Sequence, residues 1–419
     1  MKLTKSILVL LIVFSFITEV NSQTQGCTDP NANNYNTQAT QNDGSCTYNT
    51  TAYNPPVFFD LPSLLEETSG VIFYAGGTWN LNDSGGEPEI YKVDTISKQI
   101  IQTITLQNAT NIDWEDIAQD DEHIYIGDFG NNAGNRDDLK IYIIDKDDIP
   151  VTVNTSVPCK IIDFEYNDQK DFSKSRRNNN FDCEAMIVKG EKVFLFSKNW
   201  GNSKTKLYEL PKYQGNYIAQ HIDDFDVEGL ITGADINIEE NEVTLIGYKN
   251  QIWIPFVWLL FDYNDDNFFS GNKRRIDLPY IASSQTEGIC YYNGKKTFIS
   301  AEKTQTTPQR IYKLNTATWT NLPPTGINQI ASNDIDFKII PNPVNGNKFK
   351  IEINDLLKDE YSFEIYDSIG RKIHTNNYSF SMKKHKLKIK FKTKEFSKGT
   401  YFIKLYSGNN YKVKKLIIN

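Results

Sequence analysis

Glu115-Asp116-Ile117-Ala118-Gln119-Asp120, His123-Ile124-Tyr125-Ile126-Gly127-Asp128-Phe129, Leu139-Lys140-Ile141-Tyr142-Ile143-Ile144-Asp145 and Cys159-Lys160-Ile161-Ile162-Asp163-Phe164-Glu165-Tyr166 decide the fold. Each run is short and apolar-rich, carries β-branched and aromatic residues, and ends in polar or turn-forming ones, which is the pattern of a strand. Together they form a unit of four strands opened by a glutamate. Similar units open at Glu67-Thr68-Ser69-Gly70, Glu184-Ala185-Met186, Glu228-Gly229-Leu230 and Glu287-Gly288-Ile289. Repetition at intervals of about forty to seventy residues is the signature of propeller blades. Five equivalent glutamates in such a fold surround one axis.

Working outward, the second strands read AGGTWNL, HIYIGDF, KVFLFSK, EVTLIGY and KTFISAE, and the third EIYKVD, LKIYIID, KLYELP, WIPFVWLLFDY and RIYKLN. Fourth strands read QIIQTITL, CKIIDFEY, YIAQHIDDF and KRRIDLP, so the fifth unit lacks one. PPVFFDLP at residues 55–62 supplies it, joining the two ends of the ring and removing exposed sheet edges. The expected fold is all-β: a five-bladed β-propeller over residues 51–330. Six blades are the alternative, if 159–180 or 250–275 hides a further short unit. Aromatic recurrence in this region is read as core; for Trp79, Trp114 and Trp200, near the loops of the site, packing and a groove for a ring-shaped ligand both stay open.

In a propeller the start of each inner strand and the loop joining second to third strands share a face. Glu67, Glu115, Glu184, Glu228 and Glu287, with their neighbours Asp113, Asp116, Asp182 and Asp226, should therefore meet a second set. That set comprises Asn82-Asp83-Ser84, Asp128 with Asn131 and Asn132, Lys198-Asn199, Lys249-Asn250 and Glu302-Lys303. Crowded carboxylates must protonate, pair with cations or bind a metal. An all-oxygen set suits calcium, which takes six to eight oxygens in flexible geometry. The four histidines (123, 221, 374 and 385) fall elsewhere, and no His/Cys spacing suggests zinc. Two other roles stay open for the glutamates: accepting backbone hydrogen bonds that lock the ring, and acid–base catalysis.

The ends of the chain differ from the middle. Residues 1–22 read as a secretory signal, with Lys2 and Lys5, an apolar run from Ile7 to Ile17, and Val20-Asn21-Ser22 before the expected cut. The run is too short for a membrane span, so a mature chain without a transmembrane segment is expected. Export makes disulfides available. Cys27 and Cys46 bracket a segment over 23–50 too polar to own a core, and we pair them. Cys159, Cys183 and Cys290 are an odd remainder for which a 159–183 bridge and buried free thiols both stay open. Residues 335–419 hold 18 Lys+Arg against 8 Asp+Glu, a net +10, whereas the preceding residues hold 27 against 45, a net −18. The lysines alternate with apolar residues in FKIEI, KLKIKFK, TYFIKLY and YKVKKLIIN, so they form solvated strand faces of a small immunoglobulin-like β-sandwich. A nucleic-acid interface is excluded, since no stacking motif or reading helix accompanies the charge.

Three resemblances accompany these readings. GCTDPNANNYNTQATQNDGSC at 26–46 resembles modules of exported Bacteroidota proteins, and Asp29, Asn31, Asn33, Asn36 and Asp43 there serve either calcium or Asx turns. Ile340-Pro341-Asn342-Pro343, Ile365-Tyr366-Asp367 with Gly370, Gly399-Thr400-Tyr401-Phe402-Ile403-Lys404-Leu405 and the terminal Lys414-Lys415-Leu416-Ile417-Ile418-Asn419 resemble the type IX secretion C-terminal sorting domain. That resemblance implies recognition by the type IX secretion machinery and a secreted or outer-surface location. The blocks NDSGG, DWEDIA, GDFGNNAGNRDDL, DCEAM and TEGI resemble secreted propellers of the esterase-like phytase, gluconolactonase and strictosidine-synthase-like kinds. It implies calcium in the channel and carries over onto Glu67, Glu115, Glu184, Glu228 and Glu287 with Asp128 and Asn131. The chain departs from those enzymes in lacking a lactonase-type His dyad and a dense Lys/Arg cluster for phosphorylated substrates; Arg136 and Arg176-Arg177 are the nearby cations. The expectation is a calcium-dependent propeller that binds a glycan, protein or small molecule, with a calcium-dependent hydrolase of ester, lactone or phosphoester bonds as the alternative. A third reading is an adhesin part in which the glutamates serve only the fold. Asp83, Asp116, Asp128, Asn131, Asn132, Arg136, Lys198, Glu302 and Lys303 are the ligand-facing residues under the first reading, and no catalytic residue is assigned.

Overall fold

The computed structural model describes residues 23–250, 252–282, 284–320, 337–354, 360–367, 372–379, 386–407 and 410–418. The signal reading of residues 1–22, and Gly370 and Asn419 of the tail motifs, lie outside them. The chain divides into two compact units, one within residues 1–322 and one within 323–419.

The first unit is a ring of five four-stranded antiparallel blades. Blade 1 runs Thr68–Tyr74, Gly77–Asn82, Glu89–Asp94, Ile100–Gln107 from the axis outward. Blade 2 runs Trp114–Gln119, His123–Asp128, Leu139–Asp145, Lys160–Tyr166, and blade 3 Cys183–Lys189, Lys192–Ser197, Thr205–Pro211, Gly215–Phe225. Blade 4 runs Leu230–Asn237, Glu242–Tyr248, Pro255–Phe261, Asn272–Asp277. Blade 5 runs Thr286–Asn293, Lys296–Ala301, Arg310–Asn315, and its outermost strand is Val57–Asp60. The five inner strands neighbour one another in order and close on themselves, the fifth against the first. The expected closure by the segment ahead of the first blade is thus observed. Asp60 lies opposite Arg310 in register, and their side chains form a 3.0 Å ion pair. The blade count is five, not six.

Inner and middle strands are buried on both faces, as packed sheets require. Apolar clusters fill the spaces between blades, among them Met186, Val188, Leu195 and Tyr208 with Ile141 and Ile162, and Phe194, Phe196, Phe256 and Leu260 with Phe268. Near the axis the inner strands approach closely. A Cβ on Gly233 would sit 2.4 Å from the carbonyl oxygen of Glu287, so the backbone of blade 5 fits there only against glycine.

Hydrogen bonds lock neighbouring inner strands. Ser69 Oγ donates to the Glu115 carbonyl, and Thr232 Oγ1 to the Thr286 carbonyl at 2.8 Å. Asp116 accepts the Met186 N–H and Asp235 the Tyr291 N–H, each at 2.7 Å.

The blade edges carry pairings that periodicity does not announce. Blades 2 and 3 join into one eight-stranded sheet because Lys160–Tyr166 and Gly215–Phe225 pair in parallel. Thr155–Pro158 covers blade 1, and Thr51–Ala52 covers blade 4. Every strand edge so covered is one fewer template for aggregation.

Cys27 and Cys46 form the expected disulfide; Cys183 and Cys290 are buried free thiols and Cys159 is a partly exposed one. The stapled segment packs on blade 4. Asn42 Nδ2 donates to Asp262 Oδ2 at 2.8 Å and to Asn272 Oδ1 at 3.0 Å, and the Arg274 guanidinium lies 4.9 Å from the Tyr48 ring centroid.

The second unit is a two-sheet sandwich of seven strands. Phe337–Ile340, Lys348–Asn354 and Lys386–Lys392 form one sheet. Glu360–Asp367, Lys372–Ser379, Gly399–Ser407 and Asn410–Ile418 form the other. Ile389 and Phe391 are buried while Lys390 and Lys392, alternating with them, are exposed, so these lysines are the solvated face of their strand. Phe349, Ile351, Phe363, Ile365, Ile403 and Leu416 fill the core.

Candidate functional site

A β-bulge near the start of every inner strand builds the site. In blade 2 Trp114 pairs with Asp128 and Asp116 with Gly127, leaving Glu115 as the extra residue. The same count leaves Glu184 in blade 3 and Glu287 in blade 5. A bulge re-aims one side chain out of the strand's alternation. In blade 4 the extra residue is Thr232, and in blade 1 Ser69 and Gly70 together oppose Leu81. The five equivalent positions are therefore Ser69, Glu115, Glu184, Thr232 and Glu287.

This corrects the ring of five glutamates. Glu67 lies two residues before its bulge and is exposed at the mouth, where its carbonyl accepts the Asp83 N–H at 2.9 Å. Glu228 sits at φ 51° with a side chain 74% exposed, turned toward Arg275 at 3.9 Å. Positions 69 and 232 carry short hydroxyls, and each donates to the next blade instead of presenting charge to the axis.

Glu115, Glu184 and Glu287 are 6%, 3% and 6% exposed. Two clusters of oxygens form around them. Asp83, Asp113 and Glu115 place one carboxylate oxygen each within 4.8 Å of one another, and so do Glu115, Asp182 and Glu184. Calcium–oxygen bonds of about 2.3–2.6 Å allow ligand atoms up to about 5 Å apart across the ion, so both spacings fit one cation. Glu115 belongs to both clusters, and its carboxylate takes no hydrogen bond or ion pair from any described residue. The backbone makes room for it: a Cβ on Gly130 would lie 2.2 Å from Glu115 Oε1 and 2.4 Å from Asp113 Oδ2.

The loop carrying Gly130 is wound tightly. Asp128 accepts the Asp113 N–H at 3.1 Å and pairs with Arg136 at 3.0 Å; Arg136 also donates to the Gly130 carbonyl at 3.0 Å. Asn131 donates its N–H to Asp182 Oδ1 at 2.6 Å and accepts the Arg136 N–H at 3.0 Å. Asn132 holds the 175–179 loop through its carbonyl, which accepts from Arg177 N and Asn179 Nδ2. These expected ligand-facing residues therefore shape the loop, and Asp116 staples blades 2 and 3 (above). Lys303 points away to Glu66 at 2.7 Å, Asp226 is exposed, and Lys249 pairs with Asp277 at 3.2 Å.

The electrostatics follow from crowding without water. Two like charges about 4 Å apart repel by about 4 kcal/mol at an effective dielectric near 20. Burial, then Glu302, pushes Glu287 to about 8. Burial, then Asp83 and Glu184, pushes Glu302 to about 8. Asp113 rises to about 7 through burial and its neighbours Asp83 and Asp182. Glu115 rises well above the carboxylate range, through burial first and Glu184 second. One cation stands among them: Lys198 donates to Glu184, and although burial works against its charge, Glu184, Glu287 and Asp182 hold it charged.

An aromatic wall flanks this lysine. Its ammonium lies 5.0 Å from the Trp200 ring and 5.3 Å from the Tyr248 ring. Trp200 Nε1 donates to Asp182 Oδ2 at 2.7 Å, and Trp253 stacks on Tyr248 at 4.7 Å while 37% exposed. The sequence pattern places Tyr248 and Trp253 only in strands, not at the site; counted from the bulge, Tyr248 holds in blade 4 the position that Lys198 holds in blade 3. Trp79 and Trp114 are fully buried and serve packing. In the 26–46 segment the oxygens are spent on turns: Asp29, Asn36 and Asp43 accept the N–H of Asn31, Gln38 and Ser45.

Residues 338–419 match the family model described as the secretion system C-terminal sorting domain. The tail thus marks the chain for type IX sorting, secretion and attachment at the cell surface. Among the described residues no helix is long and apolar enough to cross a membrane. No curated protein matches the chain. Solved structures similar in outline include a Bombyx mori GH32 beta-fructofuranosidase mutant in complex with sucrose, at 11% identity and TM-score 0.36, covering 88% of each chain. A glucose dehydrogenase is similar at 7% identity and TM-score 0.36 over 62% of this chain and 99% of its own. Hydrazine synthase of Kuenenia stuttgartiensis is similar at 10% identity and TM-score 0.33 over 72% of this chain and 78% of its own. Likenesses this weak carry no argument about activity. The chain carries a type IX secretion sorting domain C-terminal to an all-β body.

Proposed function

We propose that this is a secreted or surface-displayed propeller whose central acidic pocket holds calcium and uses it to bind a glycan, protein or small-molecule ligand. The observation that carries the reading is Glu115: a buried carboxylate without a donor, shared by two oxygen clusters of calcium-compatible spacing. A carboxylate in that setting needs a proton or a cation, and a donor set of Asp and Glu alone selects a hard cation. Calcium bound there would offer an ordered charge and open coordination positions to ligand oxygens, beside the Trp200–Tyr248–Trp253 wall. A leader at 1–22, a Bacteroidota source and domain limits at 23–50, 51–330 and 335–419 belong to this proposal. The test is calorimetric titration of the chelator-treated chain with calcium, followed by glycan and protein arrays with and without the ion. Saturable heat and calcium-dependent capture support it; absence of heat at millimolar calcium sinks it.

A second reading, a calcium-dependent hydrolase of ester, lactone or phosphoester bonds, is favoured by Glu287 and Glu302 near 8, values suited to proton transfer at neutral pH. Turnover of a chromogenic ester or lactone that disappears in Glu287→Gln and Glu302→Gln would support it. Calcium binding without turnover of any such substrate would leave the binding role alone.

A further inference from the structure

We propose that Lys198 is a built-in replacement for a second divalent cation, so that the pocket has two cation positions of which this chain leaves only one open. The inference rests on the calcium reading above and assigns its ion to the Asp83–Asp113–Glu115 cluster.

The two oxygen clusters share Glu115 and are otherwise distinct. They differ in how their remaining oxygens are spent. In the Glu115–Asp182–Glu184 cluster, Glu184 receives the Lys198 ammonium, and Asp182 receives Asn131 N–H at 2.6 Å and Trp200 Nε1 at 2.7 Å. Both side chains of that ion pair are 5% exposed, so water does not screen it. In the Asp83–Asp113–Glu115 cluster the Asp113 and Glu115 carboxylates take no donor from any described residue; Asp83 accepts only the N–H of its neighbour Ser84. The Glu115 carboxylate, more than nine-tenths buried and without a donor, calls for a cation, and Asp113, likewise without a donor where Asp182 and Glu184 have theirs, puts that cation on this side.

The lysine is fixed in place. It directly follows the second strand of blade 3, its backbone N–H donates to the Asp182 carbonyl at 2.8 Å, and Trp200 and Tyr248 flank its ammonium. An ammonium is a compact monovalent charge with three donors, and cannot supply the coordination that a divalent ion offers an incoming ligand. Its presence therefore sets the number of metal ions in the pocket at one and removes the paired-metal arrangement in which two ions clamp attacking and leaving oxygens.

The experiment is calcium calorimetry on the full chain and on Lys198→Met, with terbium luminescence as a second count of sites. One ion per chain in the natural protein and two in Lys198→Met is the expected result. The double variant Lys198→Met/Glu184→Gln should return to one, because it removes a ligand of the new position along with the lysine. Two ions in the natural chain, or one in both it and Lys198→Met, would overturn the proposal while leaving the calcium reading intact. No calcium in the natural chain would overturn both. Lys198→Met folding only in the presence of calcium would support the exchange of ion for ammonium. Failure to fold at any calcium concentration would count against it.

Discussion

The carboxylate of Asp116 accepts the backbone N–H of Met186 across the boundary between blades 2 and 3 at 2.7 Å, and that of its own neighbour Ile117 at 2.8 Å. It stands next to Glu115 in sequence yet belongs to the ring's scaffold. Adjacent acids thus have opposite roles: one spends its oxygens on backbone, the other keeps them free. Asp116→Ala should destabilise the chain by about 1–3 kcal/mol for each buried N–H it orphans, while calcium affinity of the folded fraction changes less than threefold. Denaturant titration beside calorimetry checks both. A large affinity loss without a stability loss would put Asp116 in the site.

Gly130 is the backbone's contribution to the pocket. In Gly130→Ala the methyl group would collide with Glu115 Oε1 and Asp113 Oδ2, so the carboxylates must part. Calcium affinity should fall at least tenfold, about 1.4 kcal/mol. Calorimetry gives the affinity, and an unchanged near-UV spectrum confirms the fold.

Stability of the calcium-free chain should fall as pH rises. Glu287 and Glu302 sit at about 8 and Asp113 at about 7 in the folded state, above their ordinary values of 4.5 and 3.8. The folded state therefore holds more protons than the unfolded one between about pH 4 and 8, and stability drops across that window. The melting temperature in chelator should decline by about 2–4 °C per kcal/mol lost. Calcium, by neutralising Asp113, should remove its part of the decline. Scanning calorimetry at pH 5 and pH 8, with and without calcium, decides it; a melting temperature that rises toward pH 8 in chelator would contradict the account.

Phe59 lies in the strand that closes the ring and is 3% exposed. Phe59→Ala should cost about 3–5 kcal/mol and act on the whole ring, since blade 5 is shared between the two ends of the propeller. Fluorescence and circular dichroism should report one coincident transition shifted to lower denaturant. Separate transitions would mean that blade 5 unfolds alone.

The blades were legible because each strand is a short β-branched and aromatic run bounded by polar turns, and the missing fourth strand of blade 5 had one supplier, PPVFFDLP. Glu115, Glu184 and Glu287 were legible as a repeated acid before a small or short residue. Glu67 and Glu228 were misread because a Glu-Gly or Glu-Thr-Ser-Gly string resembles the others, while the structural register is set by the bulge. The glycines held the better clue: Ser69-Gly70, Thr232-Gly233 and Glu287-Gly288 align where inner backbones nearly touch. The parallel pairing of blades 2 and 3 depends on contacts across about fifty residues that no local pattern records. Tyr248 and Trp253 escaped notice because aromatic residues are common throughout the blades, and their stacking is set by a turn at Lys249.

The most direct test of the central claim is calcium calorimetry on the chelator-treated full chain and its Glu115→Gln variant. Saturable binding in the natural chain, lost by at least a hundredfold in a Glu115→Gln protein that still melts cooperatively, is the predicted result. No binding in the natural chain, or equal binding in both, would contradict a calcium site built on Glu115.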